Sequence, residues 1–200
     1  RPVRLIDDRL SPLKNRGRQD INFVVFRENT EGVYVSIGGR FKAGTEDEIA
    51  IQEELNTWKG VHRIVRHAFE FAAARGLTKV CMADKSNAMQ QGHALWQRVF
   101  KQVASEYPGI QATHYYIDAL AMYMVRDPSE FEVIVTNNLF GDIVTDLGAH
   151  WDGRGAVQLL EPFSTEGVLL LERLHPEVSV RTRYPAASTA ATTPATHIKR

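Results

Sequence analysis

The sequence predicts an α/β fold, a central sheet flanked by helices. Short apolar runs alternate along the chain with longer stretches whose apolar residues recur at helical spacing. Turn-forming residues, such as Gly76 and the pair Asp127-Pro128, separate these segments. Alternation of strands with helices is typical of a layered α/β protein.

The predicted strands are short and apolar. We expect the chain to begin within a strand at Arg1–Leu5, and to form further strands at Ile21–Phe26, Val80–Ala83 and Phe131–Val135. Two more segments, Tyr34–Phe41 and Glu48–Glu54, alternate apolar and polar residues around glycine-containing turns. That alternation predicts a two-stranded ribbon with one buried face.

The helices follow from apolar residues at helical spacing. Val61, Val65, Ala68 and Ala72 predict a helix from about Trp58 to Arg75, which Gly76 ends. A second helix carries Leu95, Val99 and Val103 and ends before Pro108, and a third runs from Asp118 to Arg126.

Composition excludes several classes of protein. The chain has 200 residues, enough for one sizeable core or for one large and one small core. Its 24 basic and 24 acidic residues cancel, which argues against a nucleic-acid partner. No run of about eighteen apolar residues exists, so we expect no membrane partner. The single cysteine, Cys81, is predicted to be a small buried hydrophobe, and a cytoplasmic location is expected.

The segment Asn137–Asp146 carries a chemical signal. It follows a predicted strand and opens a predicted helix, on which Asp142 and Asp146 lie one turn apart on the same face. Two like charges so placed repel, whereas Mg2+ or Mn2+ would gain oxygen ligands from them. The spacing alone also fits a solvated helix face or a helix N-cap.

Three further motifs accompany this segment, and together they point to one family. In chain order, the four motifs are Arg27–Tyr34 (RENTEGVY), Asp84–Asn87 (DKSN), Tyr116–Met122 (YIDALAM) and Asn137–Asp146 (NNLFGDIVTD). From Arg1 to about Gly148 the chain resembles the β-decarboxylating dehydrogenases of 3-isopropylmalate, isocitrate and tartrate/D-malate. The resemblance implies an isopropylmalate-dehydrogenase-like fold, in which the ribbon is a dimerisation arm.

The resemblance also implies roles for individual residues. Asp118, Asp142 and Asp146 would bind the metal, Lys85 would transfer a proton and Tyr34 would act as the acid. Arg1 and Arg27 would bind substrate carboxylates, and Asn87 would lie near the substrate and the nicotinamide cofactor. In the family, Lys85 and Asp118 come from one subunit and Asp142 and Asp146 from the other. A homodimer with shared sites is therefore implied.

The activity that the resemblance implies is NAD-dependent oxidative decarboxylation of a 2-hydroxy dicarboxylate, assisted by Mg2+ or Mn2+. Motifs Asp84–Asn87 and Ile117–Met122 favour 3-isopropylmalate, a substrate of leucine biosynthesis. Three segments, Gly38–Arg40, Gly44–Glu46 and Ile51–Glu53, are closer to the tartrate/D-malate branch, and an isocitrate-type enzyme is a further alternative. An alternative of another class is a non-catalytic partner subunit or an inactive truncated product.

Each residue also has an ordinary structural interpretation. Lys85 could be a solvated lysine, and Tyr34 could end a strand with its ring half buried. Asp118 could be the N-cap of the following helix. Arg27 could pair with Glu28 or Glu31 at the surface, which would contribute little.

Beyond Gly148 the resemblance ends. We therefore expect a family-like region at residues 1–148 and a divergent tail at residues 149–200, which either results from a reading-frame shift or is a genuine C-terminus. Because the chain begins with Arg1 rather than Met, we interpret it as a fragment. Thr182–Arg200 is rich in alanine and threonine and is expected to be extended or disordered. Poor NAD binding and little activity of this chain are also expected.

Overall fold

A computed structural model of the chain describes residues 1–5, 7–152, 159–163 and 168–171. The chain divides into two compact units, Arg1–Gly155 and Ala156–Arg200. Among the described residues, no helix is both long and apolar enough to cross a membrane.

The first unit contains seven strands and four helices in its described part. They are β1 (Pro2–Arg4), β2 (Asn22–Arg27), β3 (Gly38–Phe41), β4 (Ile49–Gln52), α1 (Trp58–Ala74), β5 (Lys79–Asp84), α2 (Gln90–Ala104), β6 (Gln111–Tyr116), α3 (Ile117–Arg126), β7 (Val133–Thr136) and α4 (Asn138–Asp152). In the second unit, β8 (Leu159–Phe163) and β9 (Val168–Leu171) pair with each other in an antiparallel fashion.

A five-stranded sheet organises the first unit. The strand order is β1-β2-β7-β5-β6. Strand β1 runs antiparallel to β2, and the pairs β2–β7, β7–β5 and β5–β6 are parallel. The four parallel strands therefore end at one edge of the sheet. The predicted α/β class, with a central sheet between helices, is confirmed.

Two apolar cores lie on the two faces of this sheet. Alternate residues of β5 divide between them, because successive side chains of a strand point to opposite faces. Val80 and Met82 pack with α1 and α2, whereas Cys81 and Ala83 pack with α3 and α4. Burial raises the pKa of the Cys81 thiol to about 12, so Cys81 is an inert core residue, as expected.

Helix α1 begins and ends where the sequence predicts. The hydroxyl of Thr57 caps its first turn by accepting a hydrogen bond from the Gly60 N–H at 3.0 Å. At the other end Gly76 takes a φ of +64°, a left-handed conformation that glycine adopts without strain. The chain then turns back, and the Leu77 N–H bonds to the Ala72 carbonyl at 2.9 Å.

The ribbon differs from the prediction. Strand β3 begins at Gly38 rather than Tyr34, because Val33–Val35 forms a 3-10 turn that ends in a left-handed Ser36. All residues of β3 and β4 are exposed. The prediction that one face of the ribbon is buried was therefore wrong within this chain. Phe41, Ile49 and Ile51 are 58%, 54% and 44% exposed. Their apolar surface contacts no other part of the described chain closely enough to be buried.

The tail is described only in part. Strands β8 and β9 form their own two-stranded sheet. The predicted extended or disordered segment Thr182–Arg200 lies outside the described residues.

Candidate functional site

The carboxyl-terminal edge of the sheet gathers the residues that the motifs singled out. Arg27 ends β2, Asp84 ends β5 and Tyr116 ends β6, while α4 begins two residues after β7. The helix start that the sequence predicts for the Asn137–Asp146 segment is confirmed. The edge holds two groups of charged residues.

The first group forms around Arg27 and α4. Arg27 donates from Nε and Nη2 to Asn138 Oδ1 at 2.9 and 2.8 Å, and from Nη1 to the Asp142 carboxylate. Tyr34 donates its phenol hydrogen to Asp142 Oδ2 at 3.2 Å. The Arg27 guanidinium also lies 5.7 Å from the centre of the Tyr34 ring. The alternative pairing of Arg27 with Glu28 or Glu31 was wrong, because its fork is engaged by Asn138 and Asp142.

Gly141 allows this close approach of strand and helix. A Cβ atom at position 141 would lie 2.4 Å from Cγ of Arg27. Only glycine therefore lets the aliphatic part of Arg27 lie against the first turn of α4. Sequence reasoning assigned no role to Gly141 or Asn138, although both lie inside the motif that was recognised.

Arg1 extends the first group along α4. Its guanidinium lies 3.6 Å from Asp146, and its side chain is 37% exposed. The side chains of Asp142 and Asp146 are 45% and 76% exposed. Two carboxylates one helical turn apart, each held by an arginine, are hard oxygen donors that remain open to solvent. They suit a divalent cation, and they equally suit a pair of surface ion pairs.

The second group is the pair Lys85–Asp118. Lys85 Nζ lies 2.5 Å from Asp118 Oδ1, and this hydrogen bond holds the pKa of Asp118 below its ordinary value. The two residues that the resemblance assigns to one subunit are therefore in direct contact. Asp118 is not the N-cap of α3, since Tyr116 occupies that position and Asp118 lies in the first turn. Asn87 is exposed in the turn that follows Lys85.

The two groups are separated across the sheet. Strand β7 lies between β2, which carries Arg27, and β5, which leads to Lys85. Two strand spacings amount to about 10 Å. Within the described residues, no three side chains of His, Cys, Asp or Glu converge as a metal site. Asp118 is therefore not brought together with Asp142 and Asp146 in a single chain.

A buried carboxylate, unnoticed in the sequence, shapes the loop between Arg27 and Tyr34. Glu28 is 3% exposed and accepts hydrogen bonds from the Thr30 N–H and hydroxyl, the Glu31 N–H and Arg63, at 2.6–2.9 Å. Burial acts to raise the pKa of Glu28, but these donors outweigh it, and the pKa lies below 4.5.

Glu28→Gln is expected to reduce the free energy of unfolding at neutral pH by about 2 kcal/mol, since a charged acceptor with four donors is lost. The lowered pKa adds stability that is present above pH 4.5 and is lost as the pH falls through the folded-state value. The variant should accordingly show a weaker dependence of stability on pH below 4.5. Urea unfolding at a series of pH values tests this. Glu46→Gln, at an exposed ribbon position, is the control. If the unfolding free energy changed equally with pH in the wild type, Glu28→Gln and Glu46→Gln, the prediction would be contradicted.

Comparison with known proteins adds independent findings. The family model described as isocitrate/isopropylmalate dehydrogenase matches residues 1–159. A second model, described as aminoglycoside/hydroxyurea antibiotic resistance kinase, matches residues 135–199, a minor part of the chain that supports no assignment.

Curated relatives match the same region. The 3-isopropylmalate dehydrogenase of Thermobifida fusca is 46% identical over 149 residues, which are 74% of this chain and 42% of that protein. The 3-isopropylmalate dehydrogenase of Corynebacterium glutamicum is 48% identical over 146 residues, 73% of this chain and 42% of that protein. The chain thus spans about two fifths of the length of these relatives.

Solved structures agree with the fold. Isocitrate dehydrogenase from Methylococcus capsulatus superposes with a TM-score of 0.68 at 35% identity, over 76% of this chain and 43% of that one. The TT0538 protein from Thermus thermophilus gives 0.67 at 43% identity, over 76% and 29% of the two chains. On the match of the family model over residues 1–159, with these relatives and this fold, the chain belongs to the isocitrate/isopropylmalate dehydrogenase family.

Proposed function

We propose that residues 1–148 contribute to a shared active site for the NAD-dependent, metal-assisted oxidative decarboxylation of 3-isopropylmalate. The observation that carries the proposal is the division of the charged residues into two groups. Arg1, Arg27, Tyr34, Asp142 and Asp146 form one group, and Lys85 with Asp118 forms the other. Each group holds part of what the reaction requires.

The substrate class follows from the charges in the first group. A 2-hydroxy dicarboxylate carries two negative groups, and Arg27 and Arg1 present planar guanidinium donors that match carboxylates. Both arginines contact aspartates here, so substrate binding would exchange one carboxylate partner for another. The curated relatives named above favour 3-isopropylmalate, and the tartrate/D-malate and isocitrate alternatives are not favoured.

Metal and cofactor would supply chemistry that the side chains lack. Asp118, Asp142 and Asp146 would hold Mg2+ or Mn2+, which stabilises negative charge on the substrate oxygens, and NAD would accept the hydride. Lys85 Nζ would take the proton of the substrate hydroxyl as C2 is oxidised to a ketone. After carbon dioxide leaves, Tyr34 Oη would donate a proton to the resulting enolate carbon. Asn87, beside Lys85, would face the substrate and the nicotinamide.

A second copy of the chain is required to complete this site. The three aspartates do not converge in one chain, and apolar side chains remain exposed on two surfaces. One surface is the ribbon. The other carries Met122 and Val125 of α3 and Ile143 of α4, which are 54%, 47% and 53% exposed. We propose that both surfaces pack against the same elements of a partner copy, and that the dimer acts in the cytoplasm.

Ile143→Arg is expected to shift the chain from dimer to monomer, because it places a charge within this apolar helix surface. Sedimentation velocity over a range of protein concentrations measures the shift. Leu10→Arg is the matched control, since Leu10 is also exposed, at 42%, but lies on neither surface. A wild-type chain that sediments only as a monomer would contradict the shared-site proposal.

Asp142→Asn is expected to weaken Mn2+ binding by at least roughly tenfold while the fold is retained, because an amide is a weaker ligand than a carboxylate. Titration of the chain with Mn2+, followed by electron paramagnetic resonance, measures the affinity. Asp47→Asn on the ribbon, where Asp47 pairs with Lys42 at 3.3 Å, is the control. Unchanged Mn2+ affinity in Asp142→Asn would reject the metal assignment.

Activity itself is tested in a chimaera. In it, residues 1–148 replace the matching segment of the Thermobifida fusca relative, which supplies the remaining residues. NAD reduction with 3-isopropylmalate and Mn2+ is expected, and D-malate, tartrate and isocitrate are the comparison substrates. The alternative of a non-catalytic subunit predicts no turnover with any of them. Titration of the 200-residue chain with NAD, with and without Mn2+, tests the alternative of an inactive product.

A further inference from the structure

A buried histidine holds the backbone of Lys85. His93 lies on the inner face of α2 with its side chain wholly buried, and its Nδ1 accepts a hydrogen bond from the Lys85 backbone N–H at 2.7 Å. A backbone amide can only donate, so Nδ1 must present a lone pair. The ring proton is therefore on Nε2, and the surroundings hold His93 in one neutral tautomer.

Two residues fix the other side of the ring. His93 Nε2 lies 3.2 Å from Glu54 Oε2, and Asn137 Nδ2 donates to Glu54 Oε1 at 2.8 Å. Burial acts to raise the pKa of Glu54, but the hydrogen bonds from His93 and Asn137 outweigh it, and the pKa lies below its ordinary value. An ionised carboxylate only accepts hydrogen bonds, which matches the donors from His93 and Asn137.

This network connects separate parts of the chain to one backbone position. Glu54 follows β4, Asn137 follows β7 and His93 belongs to α2. The Lys85 carbonyl is also fixed, since it accepts hydrogen bonds from the N–H groups of Ala88 and Met89 at 2.9 and 2.8 Å. The backbone of Lys85 is thus held on both sides, while its amine reaches Asp118.

We propose that His93, fixed by Glu54 and Asn137, is a positioning residue that orients Lys85 so that its amine faces Asp118. The significance of this for catalysis rests on the proposed function, whereas the orientation of Lys85 does not. Because the essential feature is a lone pair at the place of Nδ1, an amide oxygen in that place should serve equally well. A histidine that only fills the core would show no such requirement.

Two variants separate these cases. In His93→Asn the side-chain oxygen can occupy the place of Nδ1, whereas in His93→Gln the amide reaches the place of Nε2 and leaves the Lys85 N–H without its acceptor. The readout is site-specific acetylation of the folded 200-residue chain with limiting acetic anhydride, quantified by mass spectrometry. Lys85 should react several times faster in His93→Gln than in the wild type, and at the wild-type rate in His93→Asn. Lys79 and Lys101 provide internal references that should not change.

Equal Lys85 labelling in His93→Gln and the wild type would overturn the proposal, and so would equal acceleration in both variants. If His93→Gln does not fold, nitrogen-15 NMR of the wild-type chain decides. A coupling across the hydrogen bond between the Lys85 amide nitrogen and His93 Nδ1 is expected, and a protonated Nδ1 would overturn the proposal.

If Lys85→Met leaves the chimaera active, the proposed function fails while the labelling result stands, so the two failures are distinguishable.

Discussion

Trp96→Ala is expected to lower the free energy of unfolding by about 3–5 kcal/mol, the range for removal of a large aromatic side chain from a packed core. Trp96 is 1% exposed and packs in the core formed by α1, α2 and one face of the sheet. Its Nε1 donates to Asn56 Oδ1 at 2.8 Å, so the substitution also deprives a half-buried amide of its partner. A loss of this size is a large part of the stability of a typical domain.

Trp58→Ala provides a matched control. Trp58 is 49% exposed and stacks on His62 at the surface of α1, with ring centres 4.4 Å apart. Trp58→Ala should lower the free energy of unfolding by less than about 1 kcal/mol. Urea unfolding followed by circular dichroism compares the two variants with the wild type. Similar urea midpoints for Trp96→Ala and Trp58→Ala would show that the core between the sheet and helices α1 and α2 is not packed as described.

The elements that sequence patterns predicted well carry either an apolar stripe at helical spacing or a continuous apolar run. The apolar stripe of α1 and the fully buried residues of β5 and β7 left little choice of structure. Strand β6 was missed because Gln111–Tyr116 lies at the edge of the sheet and mixes polar with aromatic residues. The ribbon was misjudged because its alternating pattern shows that one face is apolar, but not whether that face packs within the same chain.

The candidate site was predictable to the extent that the motifs carried it. The resemblance assigned Lys85 and Asp118 to one subunit, and the sequence spacing placed Asp142 and Asp146 on one helix face. The contacts of Arg27 with Asn138 depend on the neighbouring positions of β2 and β7, which no local pattern encodes. His93 left one signal, because it lies three residues before Trp96 on the apolar face of α2, where a polar residue needs a partner. That partner, Glu54, is 39 residues away in sequence.

Lys85→Met is expected to lower kcat of the chimaera by about 10²–10⁴-fold, the usual contribution of a positioned proton-transfer group. Methionine keeps the length and apolar stem of lysine but has no amine to accept the substrate's hydroxyl proton. In the described structure this amine is the partner of Asp118, at the end of β5 where the parallel strands terminate. Binding of substrate through Arg1 and Arg27 does not use Lys85, so KM should change much less than kcat.

Lys79→Met is the control for this result. Lys79 is the first residue of β5 and therefore lies at the opposite end of this strand from Lys85. Lys79→Met should leave kcat and KM unchanged. Initial rates of NAD reduction at saturating Mn2+ give both constants. Added small primary amines should restore part of the activity of Lys85→Met and should not change the activity of Lys79→Met. Such rescue would require a proton acceptor at this place rather than a merely intact fold. Turnover of Lys85→Met equal to that of Lys79→Met would exclude Lys85 as the proton acceptor and leave its pair with Asp118 as a surface ion pair of little energetic weight.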